Sequence, residues 1–254
     1  MYASYLPKTI YTLWLQGRDA APPLVQLNFE RWTELNPEYT LKVLNEQDVV
    51  ELLAPTQLPL EETNIQTLSD IVRSRLLIEG GIWVDATLFP TEPLDQWLTA
   101  AFDKAGFFAF DRPSPDRPIA SWFLAAIPKH YIPTAWWKQV FRFWSVPRQF
   151  VKFNGSAIPP DPVWQVSPDG GGATNGFPYF WFHYLFAYLE LHDSSFATQW
   201  ARCAKHSAVP PHQLQHVLAQ TPNDLAAVRS AVAAAPVHKL NWRQDFPIER
   251  LKAL

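Results

Sequence analysis

Asp85 stands directly after the apolar run Ile82-Trp83-Val84, which itself follows Gly80-Gly81. An acid there sits at the carboxyl end of a buried strand, where open α/β sheets bind their ligands. A turn-forming aspartate fits the same residues. Upstream, Ser69-Asp70-x-x-Arg73 places an acid and a guanidinium three residues apart, on one face of a helix. The pair reads either as a surface ion pair worth about 0–1 kcal/mol or as binding chemistry. In the second reading the carboxylate accepts sugar hydroxyls and the guanidinium pairs with them or with a phosphate. Arg75 and Glu79 share that neighbourhood and read as solvated or packing residues. His183 lies among Tyr179, Phe180, Trp181, Phe182 and Tyr184, as a hydrogen-bonded core histidine or as a residue on the acceptor side of a site. Cys203, His206, His212 and His216 are zinc-ligand types, but their spacing matches no standard zinc framework, and a structural site more often has two thiolates.

These groups need elements to position them. The run 10–15 reads as a first strand ending at Gln16-Gly17, and Pro22-Pro23 opens a helix over 24–35 that Asn36-Pro37 stops. A strand over 39–44, a helix over 46–53 capped by Asn45, and a helix over 64–79 follow. In the last of these, Ile65, Leu68, Val72, Leu76 and Leu77 are predicted to share the buried face. Further strands are predicted at 82–84, 107–110 and 119–127. This alternation predicts a mostly parallel sheet flanked by helices. After Tyr131 the pattern turns helical, over 136–144, 178–191, 195–205, 212–220 and 224–234. The expected organisation is an α/β core over 1–128 and a mainly helical lobe over 129–254 whose C-terminal segment returns to the site. Between the helices, the glycine-rich stretch 167–176 with Asp169 reads as a loop that could close over ligands; it lacks the Gly-Lys-Ser/Thr of a phosphate-binding P-loop.

Composition narrows the classes. Of 254 residues, 48% are hydrophobic and 18% charged, enough to bury a core and exclude a disordered chain. With 24 acids against 21 bases the net charge is −3, which excludes nucleic-acid binding by overall electrostatics. One cysteine excludes an intramolecular disulfide framework. The N-terminal stretch carries no basic segment leading into a long apolar run, so a cytoplasmic protein is expected. The 12 tryptophans are mostly core candidates; Trp122, Trp136, Trp137 and Trp144 include one or two that could stack on sugar rings. Trp136, Trp137 and Phe141 could instead touch a membrane surface, giving weak association with its inner face.

Several motifs together resemble a known family. These are Pro7-Lys8-x-Ile10-x-x-x-Trp14 with Gly17, Trp32 with Leu35-Asn36-Pro37-x-Tyr39, Ser69-Asp70-x-x-Arg73, Gly80-Gly81-Ile82-Trp83-Val84-Asp85-Ala86-Thr87 and Pro93-Leu94. The pattern is similar to glycosyltransferase family 32, and more narrowly to bacterial capsular polysaccharide synthesis proteins. Ser121 to Ala126, Tyr179-Phe180-x-x-His183 and Pro236-Val237-His238-Lys239-Leu240 agree with that branch more loosely.

The resemblance implies a GT-A fold and a hexosyltransferase that uses a nucleotide-sugar donor with retention, acting on a saccharide or lipid-linked acceptor. By analogy Trp14 and Gln16 would flank the base or ribose, and Asp70 and Arg73 would hold the donor sugar. Asp85 would open the Asp-x-Asp motif for Mn²⁺ or Mg²⁺, with His238 closing the metal site, and Lys239 or His238 would neutralise the diphosphate. Thr87 departs from the pattern: a hydroxyl stands where the second acid would be, and these hard cations want charged oxygen. That change motivates a second reading, a nucleotide-sugar or carbohydrate-binding protein that keeps the fold without catalysis. A scaffold in an envelope assembly is a third.

Overall fold

The computed structural model describes residues 1–60, 63–152, 158–168, 175–244, 246 and 248–253. Strand β1 (Thr9–Leu13) turns Ile10, Thr12 and Leu13 into the interior. Helix α1 (Pro23–Leu35) opens on a proline, whose missing N–H would have no helical partner there anyway. It leads to β2 (Thr40–Leu44), parallel to β1. A full capping box between Asn45 and Asp48 starts α2 (Glu46–Leu53). Asn64 caps α3 (Ile65–Leu76), which delivers the chain to β3 (Gly81–Val84). Strand β3 pairs parallel with β1 on the side away from β2. The chain therefore winds outward from β1 and then crosses back over it. At such a reversal the loops leaving neighbouring strands diverge, and a crevice opens at the carboxyl ends of β1 and β3. Gly81 makes the entry into β3: its φ is 118°, and a Cβ would meet the Tyr11 ring at 2.9 Å.

Strand β4 (Leu88–Pro90) and helix α4 (Leu94–Phe102) follow, neither of them among the predicted elements. Leu94, Leu98, Ala101 and Phe102 give α4 an apolar face at helical spacing. Strands β5 (Phe107–Ser114) and β6 (Arg117–Ala126) are longer than predicted and form a hairpin. Their link is only Pro115-Asp116, too short for the crossover that parallel strands need. The five-stranded sheet runs β2-β1-β3-β6-β5, and β6 alone opposes the other four strands. It is the mostly parallel, helix-flanked sheet expected.

Helix α5 (Tyr131–Trp144) begins five residues before the predicted start, because Pro133 falls in its first turn, where proline is tolerated. The rest comprises β7 (Gln149–Phe150), α6 (Pro162–Val166), β8 (Gly176–Phe177), α7 (Trp181–His192), α8 (Ser194–Arg202), α9 (Gln213–Gln220), α10 (Leu225–Ala233), β9 (Val237–Lys239) and α11 (Ile248–Lys252). In α7, six consecutive residues from Trp181 to Phe186 are buried, the pattern of a helix wrapped on all sides. Trp136, Trp144, Trp181 and Phe182 share one apolar cluster with Leu13, Ile71 and Trp83, so the helical half packs on the sheet through a common core. Trp136 is fully interior and stacks on Phe182 at 3.9 Å, which removes it from the membrane-contact reading; Phe141 is exposed. No described helix is long and apolar enough to cross a membrane. Asp169 and most of the glycine-rich stretch lie outside the described residues.

Strand β9 matters most for the site. It pairs antiparallel with β4, setting Lys239 opposite Leu88 and His238 opposite Phe89. Successive strand residues face opposite sides. Lys239 therefore turns toward the β1/β3 crevice, and His238 turns into the protein.

Candidate active site

A cavity of about 790 Å³ occupies the crevice, bordered by residues that follow β1 and β3 and by α3, β6, α7 and the segment around β9. Its floor is an ion cluster centred on Asp85. Lys239 Nζ donates to Asp85 Oδ2 at 2.7 Å and to Thr87 Oγ1 at 2.6 Å. Arg73 Nη2 lies 3.1 Å from Asp85 Oδ1, and Trp83 Nε1 donates to the same oxygen at 3.1 Å. Trp83 and Asp85 are two residues apart, so both point to one face of the strand line. The Arg73 guanidinium also lies over the Trp83 ring, 4.9 Å from its centroid.

Arg73 is almost wholly used by the protein. Its Nε donates to the Ser69 carbonyl, Nη1 to the Ser121 carbonyl at 2.6 Å, and Nη2 to Ser69 Oγ at 2.7 Å. Asp70 lies 3.5 Å from Nη1. With Asp85, Arg73 has three hydrogen bonds and two ion pairs inside the protein. Arg73 thus fixes Asp85 and ties α3 to β6; it is a clamp more than a ligand hand. The polar cluster also widens the buried face of α3 beyond the apolar residues predicted for it, of which Val72 and Leu77 are interior and Leu68 and Leu76 pack on the core. Thr67, Asp70, Arg73 and Ser74 are buried with Ile71 and Val72, and Ile65 is exposed.

The charges settle accordingly. Burial pushes the Asp85 carboxyl up, but the Lys239 ammonium and the Arg73 guanidinium outweigh it and hold it ionised below the usual carboxylate range. Asp70 lacks the second cation. Burial, opposed by Arg73 and reinforced by the Asp85 charge, raises it to about 7.

The wall is aromatic. Trp14 and Gln16 line the cavity, and Trp242 meets Trp14 edge-on at 5.7 Å. Tyr179, Phe180, His183 and Trp122 line the side formed by α7 and β6. Burial and the nearby Arg117 and Arg73 charges lower His183 to about 3, so it is neutral at ordinary pH. Its Nδ1 is buried and has no hydrogen-bond partner among the described residues. Arg117 lies over Phe180 at 3.9 Å and is ion-paired to Asp116.

The structure therefore brings Trp14, Gln16, Asp70, Arg73, Asp85, Thr87, His183 and Lys239 around one cavity. His238 is not with them. It is fully buried, does not line the cavity, and has Nε2 3.2 Å from Thr91 Oγ1. It is thus turned away from the ligand positions expected of it as a donor-binding and metal-closing residue. Among the zinc-type residues, His212 lines the cavity beside Trp122, whereas His206 packs against Phe108 and Cys203 donates to the Gln199 carbonyl. Reading the sequence missed Trp242, Arg243 and Arg117, which also border the cavity. Asn241-Trp242-Arg243, straight after β9, offered a signal: once Lys239 is at the site, the next few residues must pass its rim.

The residues fit the implied Mn²⁺ or Mg²⁺ poorly. Both Asp85 oxygens already face cations, Thr87 supplies a neutral hydroxyl, and His238 is turned away. No group of three or more His, Cys, Asp or Glu among the described residues could hold a metal ion.

Comparison with known proteins places the chain. Its structure is distantly similar to three solved ones: the PaToxG glycosyltransferase (13% identity, 97% of this chain and 83% of that one, TM-score 0.44), a glycosyltransferase involved in glycosylation of the major capsid of PBCV-1 (11%, 96% and 98%, 0.47), and the galactosyltransferase LgtC in complex with donor and acceptor sugar analogs (9%, 96% and 94%, 0.43). No curated protein matches it in sequence. The family model of capsular polysaccharide synthesis proteins matches residues 3–154 and 173–252, nearly the whole chain, and the protein belongs to that family.

Proposed function

We propose that the chain serves capsular polysaccharide synthesis as a glycosyltransferase of GT-A type, moving a hexosyl group from a nucleotide-sugar donor to a saccharide or lipid-linked acceptor. The observation that carries this reading is the pairing of an ion cluster with an aromatic wall across one cavity at the β1/β3 crevice. A nucleotide sugar needs both: flat surfaces for base and sugar, and fixed positive charge for the diphosphate. In this reading Trp14, Gln16 and Trp242 receive the nucleoside, Asp70 accepts hydrogen bonds from sugar hydroxyls, and Lys239 faces the diphosphate.

Family resemblance supports retention, and so does the chemistry of the acids. Asp70 and Asp85 are the carboxylates among the described lining residues, and both are ion-paired through Arg73. Neither stands free as a nucleophile. The acceptor oxygen would instead attack the anomeric carbon on the face that the diphosphate leaves. The sugar–phosphate C–O bond breaks, its electron pair goes to the diphosphate oxygen, and that oxygen takes the acceptor's proton.

The test is a panel of nucleotide sugars incubated with the purified chain, with free sugar and nucleoside diphosphate measured. Slow donor hydrolysis by one member is the expected result. Thermal stabilisation by a nucleotide sugar with no sugar released would make the protein a binder, and neither response would remove the donor reading altogether.

A further inference from the structure

We propose that the Lys239 ammonium is the resident counter-charge for the donor diphosphate and that this site works without a divalent metal ion. The inference rests on the donor reading above and adds to it what cation the site uses. Asp85 is the one acid retained from the metal motif, and its two oxygens are divided between Lys239 and Arg73 at 2.7 and 3.1 Å. A metal entering there would have to displace Lys239 from its carboxylate partner. Thr87 completes the exchange. A hydroxyl adds no charge to a metal shell, but it accepts one N–H of an ammonium well, here at 2.6 Å.

The register of β9 makes the arrangement specific. Pairing with β4 sends Lys239 over the cavity and buries the His238 ring beside Thr91, so the histidine is not in reach of the Asp85 carboxylate group that Lys239 holds. An ammonium has three N–H donors, and Asp85 and Thr87 take two. The third has no partner among the described residues and is left for an oxygen in the cavity that Lys239 lines. Arg73 is more committed within the protein: its nitrogens hydrogen-bond Ser69 and Ser121, and it is ion-paired to Asp70 and Asp85. Among the described residues that line the cavity, Arg73, Arg117, Lys239 and Arg243 outnumber Asp70 and Asp85, a field that attracts a diphosphate and disfavours a divalent cation. As the donor bond breaks, the electron pair arriving on the diphosphate oxygen meets a donor already oriented by Asp85 and Thr87, which is how preorganised electrostatics lowers a barrier.

Calorimetric titration of the full chain with UDP, GDP, ADP, CDP and dTDP tests this, first in EDTA and then in Mn²⁺. The expected result is one nucleoside diphosphate that binds in EDTA with an affinity Mn²⁺ does not improve. Lys239→Ala should then weaken that binding about ten- to a hundredfold, with part recovered in Lys239→Arg. Combining Lys239→Ala with Thr87→Asp should make binding Mn²⁺-dependent. Wild-type binding that vanishes in EDTA and returns with Mn²⁺ overturns the inference and leaves the donor reading standing. No diphosphate binding in either buffer overturns the donor reading and the inference with it. The wild-type comparison holds even if a variant fails to fold.

Discussion

On the floor of the cavity, both oxygens of Asp85 and all three guanidinium nitrogens of Arg73 have partners within the protein. On the wall, His183 and Trp14 border the same space, and their interior Nδ1 and Nε1 atoms have no partner among the described residues. The floor's geometry is fixed before any ligand arrives, with one Lys239 N–H still to be used, whereas the wall offers aromatic faces around polar atoms that no described residue pairs. That difference assigns separate work to the two regions. An internally paired ion cluster supplies a fixed field, whereas a rigid aromatic surface discriminates among ligands by shape and by the polar groups it sets against them.

The largest expected effect breaks the floor itself. Arg73→Gln leaves Asp85 with one cation and strips the Ser121 carbonyl of its donor, so stability should fall by about 3–5 kcal/mol. Arg117→Gln, at the wall, should cost no more than about 1 kcal/mol, because its partner Asp116 keeps Tyr184 and Ser114 as donors. Chemical denaturation of the two variants measures the contrast. Equal losses would mean that the wall holds the fold together as strongly as the floor does.

Next in size is Asp85→Ala. Lys239 loses its anchor and faces Arg73 without an intervening anion. Donor hydrolysis should drop by about 10²–10³ in kcat, the range for a lost preorganised electrostatic group. Turnover near wild type in a folded Asp85→Ala protein would take the carboxylate out of the mechanism.

How far these contrasts could be read from the sequence depends on how local their causes are. Gly80-Gly81, an apolar strand and an acid form a contiguous signal, and Asp85 stands where that signal put it. The i,i+3 pair Asp70 and Arg73 was equally legible, because helix geometry fixes it. The buried face of α3 was legible only in part. Apolar periodicity pointed to Ile65, Leu68, Val72, Leu76 and Leu77; Val72 and Leu77 are interior and Leu68 and Leu76 pack on the core, but Ile65 is exposed and polar residues that serve the cluster are drawn inward as well. Sequence patterns of this kind fail where function overrides hydrophobic placement. The choice between His238 and Lys239 was also out of reach. Strand β9 has three residues, and only its register against β4, fixed by contacts some 150 positions apart in the chain, decides which side chain meets Asp85. The parallel arrangement of the N-terminal strands followed from helix alternation. The reversal at β6 needed attention to a two-residue link.

A third effect is pH-dependent and sharpens the floor's internal asymmetry. Asp70 is raised from 3.8 to about 7 by burial, so the folded chain holds its proton more tightly than the unfolded chain does. Its contribution to stability is therefore fully present below about pH 4, falls as pH rises toward 7, and levels off above. Asp85 has the opposite sign: its folded carboxyl is depressed, so its contribution is present above the unfolded value and is lost only on acidification. Melting temperatures across this range should decline toward neutral pH in the wild type and flatten in Asp70→Asn. If Asp70 accepts hydrogen bonds from the sugar, donor affinity should rise through pH 7 and the rise should vanish in the same variant. A slope unchanged in Asp70→Asn would place the titration elsewhere.

The smallest effect concerns the wall, through His183→Phe. Phenylalanine keeps an aromatic ring in the packed interior of α7 and removes both ring nitrogens. A neutral imidazole, lowered to about 3 by burial and the Arg117 and Arg73 charges, is a weak proton acceptor at neutral pH. His183 lines the cavity, so a neutral imidazole there can still hydrogen-bond a sugar hydroxyl. Loss of one such bond should lower kcat/KM by about tenfold or less, chiefly through KM, with the pH profile unmoved. A histidine acting as general base would behave otherwise: kcat itself would fall by about 10²–10⁴ and one limb of the pH profile would disappear. The split between KM and kcat therefore separates a wall that selects its ligand from one that moves its proton. The low proton affinity of His183 favours selection, because a group still unprotonated near pH 4 gains little by receiving a hydroxyl proton at pH 7.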